Sequence, residues 1–266
     1  MWRSARVSVI FPTYNERGSI YDAIMEFLAS GFVDEIVVVN NNAAPGTDDE
    51  VRRAPADRVR LVHEPQQGYG YAIRRGFREA TGDLIIVAEP DGTFRGHDVV
   101  KLLAYSDDCD AVYGTRTQRE FIWAGANMGF FLRWGNYAVA KLMEVLFNST
   151  TLSDVGCTMR LIKRQALRQI EPDFRVGGSF FGPEMMLLSL IAGHTMVQIP
   201  VNYTKRVGTS SVTGDPFKAV TLGLRMIALI LEYRLRSLFT PWRFACFRVA
   251  RRAGPKSGTP GLTAQP

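Results

Sequence analysis

The sequence predicts an α/β protein, a three-layer sandwich with a mainly parallel central sheet between two layers of helix. Three observations carry that expectation. Between Val7 and Arg116, short runs of β-forming residues alternate with amphipathic stretches of helical length, the pattern of right-handed crossovers joining parallel strands. The run Leu84-Ile85-Ile86-Val87 is apolar at every position, as in a strand covered on both faces. It ends in two carboxylates separated by one residue, Glu89 and Asp91, and then the turn-former Gly92. Open α/β sheets bind ligands just beyond the carboxyl ends of their strands.

Taken in order, Val7–Phe11 reads as the first strand, with Pro12-Thr13-Tyr14-Asn15-Glu16 as the loop after it. Ser19 is placed to cap a helix whose apolar residues Ile20, Ala23, Ile24, Phe27 and Leu28 recur at helical spacing, with Gly31 as its stop. Glu35–Val39 is a second strand, entering the loop Asn40–Thr47, and Val59–Val62 is a third. Gly68–Ala80 is a helix with a core face of Tyr69, Ala72, Ile73, Gly76, Phe77 and Ala80. After the central strand, His97–Tyr105 is helical and Ala111–Tyr113 is a strand leading to Gly114-Thr115-Arg116. The second half is less regular. Ile122–Phe147 suggests one or two amphipathic helices, and Ser153–Arg160 a polar loop. Pro183 is placed to open a helix over Met185–Ile191 that Gly193 closes. Thr195–Tyr203 is a strand that Pro200 confines to a sheet edge, and Pro216–Phe239 is a helix.

Composition narrows the class. With 266 residues, 46% hydrophobic and 22% charged, the chain has the make-up of a globular domain with a sizeable core. Its three cysteines, Cys109, Cys157 and Cys246, match neither a disulfide framework nor a metal-ligand spacing, which suggests a reducing, cytoplasmic setting. The net charge of +6 is concentrated late: after Glu232 come seven Lys or Arg residues and no acid, interleaved with Leu235, Leu238, Phe239, Trp242, Phe244 and Phe247. A nucleic-acid partner does not call for those bulky apolar residues, whereas an anionic membrane surface does. No uncharged run approaches the ~20 residues needed to span a bilayer. The expected organisation is a catalytic domain over residues 1–215, basic amphipathic membrane-associating helices over 216–252, and a disordered tail over 253–266.

Two acids at one strand end repel each other unless a cation stands between them, and a hard divalent ion with oxygen ligands meets that need. The alternative is that Pro90-Asp91-Gly92 is only a turn with a capping acid. The ordered series Pro12–Glu16, the Asn40–Thr47 loop, Gly68-Tyr69-Gly70, Glu89-Pro90-Asp91 and Gly114-Thr115-Arg116 resembles the inverting family 2 glycosyltransferases of the GT-A fold. The segments Ser153–Arg160 and Pro200–Ser210 are similar to the polyprenyl-phosphate branch, the dolichol-phosphate mannose synthase type.

The resemblance implies transfer, with inversion, of a sugar from a GDP- or UDP-linked donor to a polyprenyl phosphate. The enzyme would be peripheral on the cytoplasmic membrane face and use Mg²⁺ or Mn²⁺. It assigns Pro12, Tyr14, Glu16, Asn40, Arg74 and Glu89 to the nucleotide sugar, Asp91 and Glu89 to the metal, and Arg160, Arg206 and Ser210 to the acceptor phosphate. Asp91, Asp154, Arg116 and Arg160 would be the catalytic set. Arginine suits phosphate because its planar fork binds two oxygens at once. A lipid phosphate is already anionic near neutral pH, so Asp154 is assigned to loop positioning or weak base work. Two positions depart from the family pattern: Asn40 stands in place of an Asp, and Glu89 in place of the first acid of the metal motif. Other readings of the same series are a saccharide or different acceptor, a non-catalytic nucleotide-sugar-binding module, and a nucleotidyltransferase. The last would need a glycine-rich basic loop after the first strand, and Pro12–Glu16 is not one.

Overall fold

A computed structural model describes residues 1–126, 129–208 and 216–239. Ser210 and the segment 241–252 lie outside the described residues. The elements run β1 (Val7–Thr13), α1 (Ile20–Ala29), β2 (Glu35–Asn40), α2 (Thr47–Arg52), β3 (Val59–His63), α3 (Tyr69–Glu79), β4 (Leu84–Val87), α4 (Val99–Ser106) and β5 (Ala111–Thr115). They continue with α5 (Phe130–Phe147), β6 (Arg160–Lys163), α6 (Arg164–Ile170), α7 (Phe181–Ile191), β7 (Met196–Pro200) and α8 (Pro216–Phe239). The described strands form one sheet in the order β3-β2-β1-β4-β6-β5-β7.

The three layers follow from the period-2 alternation of strand side chains. Val37, Val39, Ile85 and Val87 point to one face, where α3, α5, α6, α7 and α8 bury Phe77, Met143, Leu167, Leu187 and Ile230. Ile36, Val38, Leu84 and Ile86 point to the other, against Ile24 and Phe27 of α1, Val51 of α2 and Leu102 and Leu103 of α4. Every residue of β1, β2 and β4 is buried, which is why β4 is apolar throughout and β1 and β2 are apolar apart from Ser8 and the strand-end residues Thr13, Glu35 and Asn40.

Four elements differ from the sequence expectation. β1 continues through Pro12 and Thr13 rather than ending at Phe11. β4 pairs with β1 only along Val7–Ile10, so Pro12, facing Val39 of β2, lies where one flank of β1 is open and its missing N–H interrupts no ladder. β6 replaces the end of the expected loop. It inserts antiparallel between β4 and β5, making the sheet mixed. Its signal is weak because charged Arg160 and Lys163 flank only two apolar residues. α2 is a short helix that starts at the last residue of the expected Asn40–Thr47 loop and runs through a stretch with no expected element, with only Thr47 and Val51 buried. Ser19 does not cap α1 with its side chain; its hydroxyl donates to the carbonyl of Pro90 at 2.8 Å, tying α1 to the acid loop. β7 is the edge strand that Pro200 requires, parallel to β5.

α8 packs on α5 and α7. Its inner face buries Met226, Leu229, Ile230 and Tyr233, while Phe217, Val220, Leu224, Leu231, Leu235 and Leu238 form an exposed stripe at three- and four-residue spacing. Among the described residues, no helix is long and apolar enough to cross a membrane.

Candidate active site

The strand order reverses at β1, since β2 and β3 lie to one side of it and β4 to the other. At the carboxyl ends of β1 and β4 a cavity of about 480 Å³ opens, lined by Pro12 at the end of β1, Tyr14 and Glu16 after it, Asn41 and Gln67 from the β2 and β3 ends, and Glu89 after β4. Arg116, Gly156, Thr158, Tyr203 and Arg206 form the opposite wall, and Tyr69, Asn136, Leu222 and Met226 come from α3, α5 and α8. Such a switch point is where open α/β sheets bind ligands.

The loop after β1 is held by its own acid: Glu16 Oε2 accepts hydrogen bonds from the N–H groups of Tyr14 and Asn15 at 2.6 and 2.8 Å and from Thr13 Oγ1 at 3.2 Å. Tyr14, 44% exposed, presents its ring at the cavity mouth.

At the end of β4, Gly92 takes φ +80°, a left-handed turn that glycine enters at no steric cost. The turn folds Asp91 inward, where Oδ1 accepts from the N–H and hydroxyl of Thr93 at 2.9 and 2.5 Å. The chain after β7 runs beside this turn, because Thr204 N donates to Thr93 O and Val207 N to Asp91 O. Arg206 is thereby placed between the two acids, its Nη2 2.7 Å from Glu89 Oε2 and 2.6 Å from Asp91 Oδ2. The contact to Asp91 is an ion pair without hydrogen-bond alignment, so Asp91 Oδ2 is a buried oxygen with no hydrogen bond. Burial and the neighbouring Asp91 hold the Glu89 carboxyl well above the usual carboxylate range, against the pull of Arg206, although 22% of its side chain reaches the cavity surface. For Arg206, burial opposes the charge and the two acids outweigh it, so its pKa is raised.

This oxygen pair fits a divalent cation. Both donors are hard, the Asp91 oxygen accepts no hydrogen bond and meets only the Arg206 guanidinium, which a bound cation would displace, and among the described residues no third acid, His or Cys completes a protein-only cluster. Mg²⁺ and Mn²⁺ sites of this kind draw their remaining ligands from substrate phosphates and water.

Arg116 is aimed into the cavity by Asp154. Asp154 Oδ2 accepts from Arg116 Nε and the Arg116 backbone N–H at 2.9 and 3.0 Å, and Oδ1 from Arg116 Nη2 and Gly156 N at 3.0 and 2.9 Å. Burial alone would raise the Asp154 pKa, but Arg116 and these donors hold it below the ordinary value. Gln198 of β7 fixes the same loop by accepting from the N–H groups of Ser153 and Asp154. The Arg116 guanidinium lies 5.2 Å from the centre of the Tyr203 ring, within cation–π range.

Three other expected residues fall elsewhere. Arg160 is 3% exposed and outside the cavity lining; its guanidinium donates to the carbonyls of Gly182 and Cys157 and lies over the Tyr113 ring. Asn40 is turned away from the cavity, donating to Asp48 Oδ1 at 2.5 Å and accepting from Ala43 N at 2.7 Å. Its neighbour Asn41 lines the cavity instead. Arg74 is half-buried on α3, also outside the lining. Sequence reasoning missed Asn41, Gln67, Asn136, Thr158 and Tyr203 as wall residues. Asn41 carried a signal as a polar residue just past a strand end, and Thr158 and Tyr203 lay within the two segments that resemble the polyprenyl-phosphate branch, whereas Gln67 and Asn136 carried none.

The profile of Glycosyl transferase family 2 matches residues 8–171. A dolichyl-phosphate hexose transferase of Haloferax volcanii is 27% identical over 237 residues, covering 86% of this chain and 96% of that protein. A low-salt glycan biosynthesis hexosyltransferase of the same organism is 27% identical over 213 residues, and there the matched region spans 79% of this chain but only 50% of the relative. Among solved structures, glucosyl-3-phosphoglycerate synthase from Mycobacterium tuberculosis, crystallised with Mn²⁺, UDP and phosphoglyceric acid, superposes with a TM-score of 0.65 at 16% identity over 87% of this chain and 79% of that one, which shows a shared GT-A-like fold. With more than half of its length matched by the family profile, the chain belongs to glycosyl transferase family 2.

Proposed function

We propose that the protein transfers a hexose from a nucleoside-diphosphate sugar to a polyprenyl phosphate, with inversion, at the cytoplasmic face of a membrane. The observation that carries this reading is one cavity with two chemistries. Its walls hold the ring of Tyr14, Glu89 of the acid pair and two arginines, with Asp91 buried behind Glu89 and Arg206, and they also hold the apolar side chains of Leu222 and Met226. Those two come from the same helix that exposes an apolar stripe. A nucleoside diphosphate fits the first set and a phosphorylated isoprenoid the second. The dolichyl-phosphate relative supports that acceptor class.

Tyr14 offers a stacking face to the base, and Glu16 holds the loop that carries it. Asp91 and Glu89 would hold Mg²⁺ or Mn²⁺, which when bound neutralises charge on the departing nucleoside diphosphate. Arg116 and Arg206 supply the fixed positive charge that the same leaving group needs. The acceptor's phosphate oxygen attacks the anomeric carbon as the anomeric carbon–oxygen bond to the diphosphate breaks. That oxygen is anionic near neutral pH, so no general base is required. Asp154, with four N–H donors on its two oxygens, acts as the residue that positions Arg116.

Incubation with radiolabelled UDP- and GDP-sugars, Mn²⁺ and a membrane lipid extract tests the reading. Label is expected in the organic phase and is lost on adding EDTA. Label appearing only in water-soluble saccharide would sink the polyprenyl-phosphate acceptor.

A further inference from the structure

Two hydroxyls in the cavity wall have no use in the chemistry above. Tyr69 Oη and Thr158 Oγ1 are buried and face each other, and among the described residues no other group holds either of them by a hydrogen bond. Both residues line the cavity. Buried hydroxyls are almost always paired, so a couple with no further partner in a ligand cavity marks groups kept for a ligand. The charged groups around them are already engaged. Glu89 pairs with Arg206, Arg116 with Asp154, and Arg160 donates to two carbonyls.

We propose that Tyr69 and Thr158 form the subsite that reads a hydroxyl of the donor sugar, and so determine which hexose this protein transfers. The proposal rests on the glycosyltransferase reading of the cavity. Its first support is chemical complementarity: each side chain is a neutral donor and acceptor, as is a pyranose hydroxyl. Burial, and next the Glu89 charge, raise the Tyr69 phenol pKa, so it stays protonated and neutral. Its second support is location. Tyr69 and Thr158 line the same cavity as Glu89 at the end of β4 and Arg206 beside it, so the pair shares the cavity with the groups proposed to hold the diphosphate. Its third support is rigidity. Tyr69 begins α3, whose Gly70 N and Tyr71 N both donate to Gly177 O. A Cβ on Gly70 would lie 2.4 Å from the carbonyl oxygen of Val176 and 2.9 Å from the backbone of Gly177, so the close approach of α3 to this loop depends on glycine there. A polar group on so fixed a backbone is preorganised for recognition.

Sites built to hydrogen-bond a substrate hydroxyl reject the analogue lacking it by roughly 10⁴–10⁵, because the site's own groups are left unpaired. The test uses the full chain and the variants Tyr69→Phe, Thr158→Val and the pair together. The first measurement is thermal unfolding without ligand. The melting temperature is expected to change little, since neither hydroxyl is held by any group except the other. A fall beyond about 4 °C, roughly what losing 1 kcal/mol produces in a domain of this size, would show that the hydroxyls hold the fold, directly or through water, and would overturn the proposal.

The second measurement is kcat/KM with Mn²⁺ and lipid acceptor over a panel of UDP- and GDP-hexoses, then over the monodeoxy analogues of the preferred donor. Wild type is expected to reject one analogue by at least about 100-fold. The double variant should accept that analogue within a few-fold of the parent sugar. If the double variant keeps the full discrimination, the subsite is elsewhere. If wild type transfers from no donor in the panel, the glycosyltransferase reading fails instead.

Discussion

Arg206 shows how a single side chain decides the state of the acid pair. Its guanidinium lies within 2.7 Å of a carboxylate oxygen of both Glu89 and Asp91. Arg206→Ala leaves two carboxylates facing each other beside a cavity, so Mn²⁺ is expected to raise the variant's melting temperature by more than it raises that of wild type. Equal shifts in a thermal-shift assay would show that Arg206 and the metal do not share the site. Asp91→Ala should remove the Mn²⁺-dependent part of nucleoside-diphosphate affinity and also lower the melting temperature, because the buried carboxylate holds the N–H and hydroxyl of Thr93. Calorimetry with and without Mn²⁺ measures that difference, and an unchanged affinity would end the metal role.

Asp154 makes a second prediction at this scale, with a definite sign. Its pKa is depressed by Arg116, so its stabilisation is fully present above its unfolded value of about 3.9 and fades as pH falls through the lower folded value. Asp154→Asn leaves the Arg116 guanidinium buried and uncompensated, and such losses cost about 3–5 kcal/mol. In urea unfolding the gap between wild type and variant is expected at pH 7 and should shrink toward pH 3. A gap independent of pH would mean that the carboxylate charge is not what matters.

Among the elements, α8 does two things at once. One face is buried on α5 and α7, and it is pinned by Tyr233, whose hydroxyl donates to the buried Glu184 at 2.7 Å. Glu184 also accepts from the N–H groups of Arg175 and Val176, just before the Gly177 carbonyl that receives the start of α3. Tyr233→Phe should therefore cost about 1–3 kcal/mol, the penalty for leaving Glu184 short of a donor. Hydrogen exchange should speed up along α8 and at residues 175–178. Faster exchange in α8 alone would show that the helix and the loop are not coupled through Glu184.

For the molecule as a whole, the outer stripe of α8 and the exposed Trp134, Tyr137 and Val145 of α5 place apolar side chains on one side of the protein. Exposed apolar patches of this kind mark interaction surfaces, and each Lys or Arg near an anionic bilayer adds about 1 kcal/mol. Replacing Leu224, Leu231 and Leu235 together by Glu is expected to abolish flotation with anionic liposomes at low salt without lowering the melting temperature, because all three are exposed. Truncation is a poorer probe, since a cut after Glu232 removes the Tyr233 anchor. Undiminished flotation of the triple variant would rule out this face.

The sequence by itself determined the α/β class, the run of elements from β1 to β5 apart from α2, the edge position of β7, the bounds of α8 and the acid pair at the end of β4. Each rests on local signals: hydrophobic period, a proline without an N–H, or a polar residue where a buried strand ends. Tertiary structure alone decided the rest. It inserted β6 antiparallel between β4 and β5, since two apolar residues gain strand character only from neighbours on both sides. It brought Arg206 to acids more than a hundred residues earlier, committed Asp154 to Arg116, buried Arg160 among carbonyls, and turned Asn40 toward Asp48 while Asn41 took the cavity wall. Side-chain direction and partnership depend on groups distant in sequence. A local pattern therefore names the residue types a site needs, and only the packed fold selects which of them reach it.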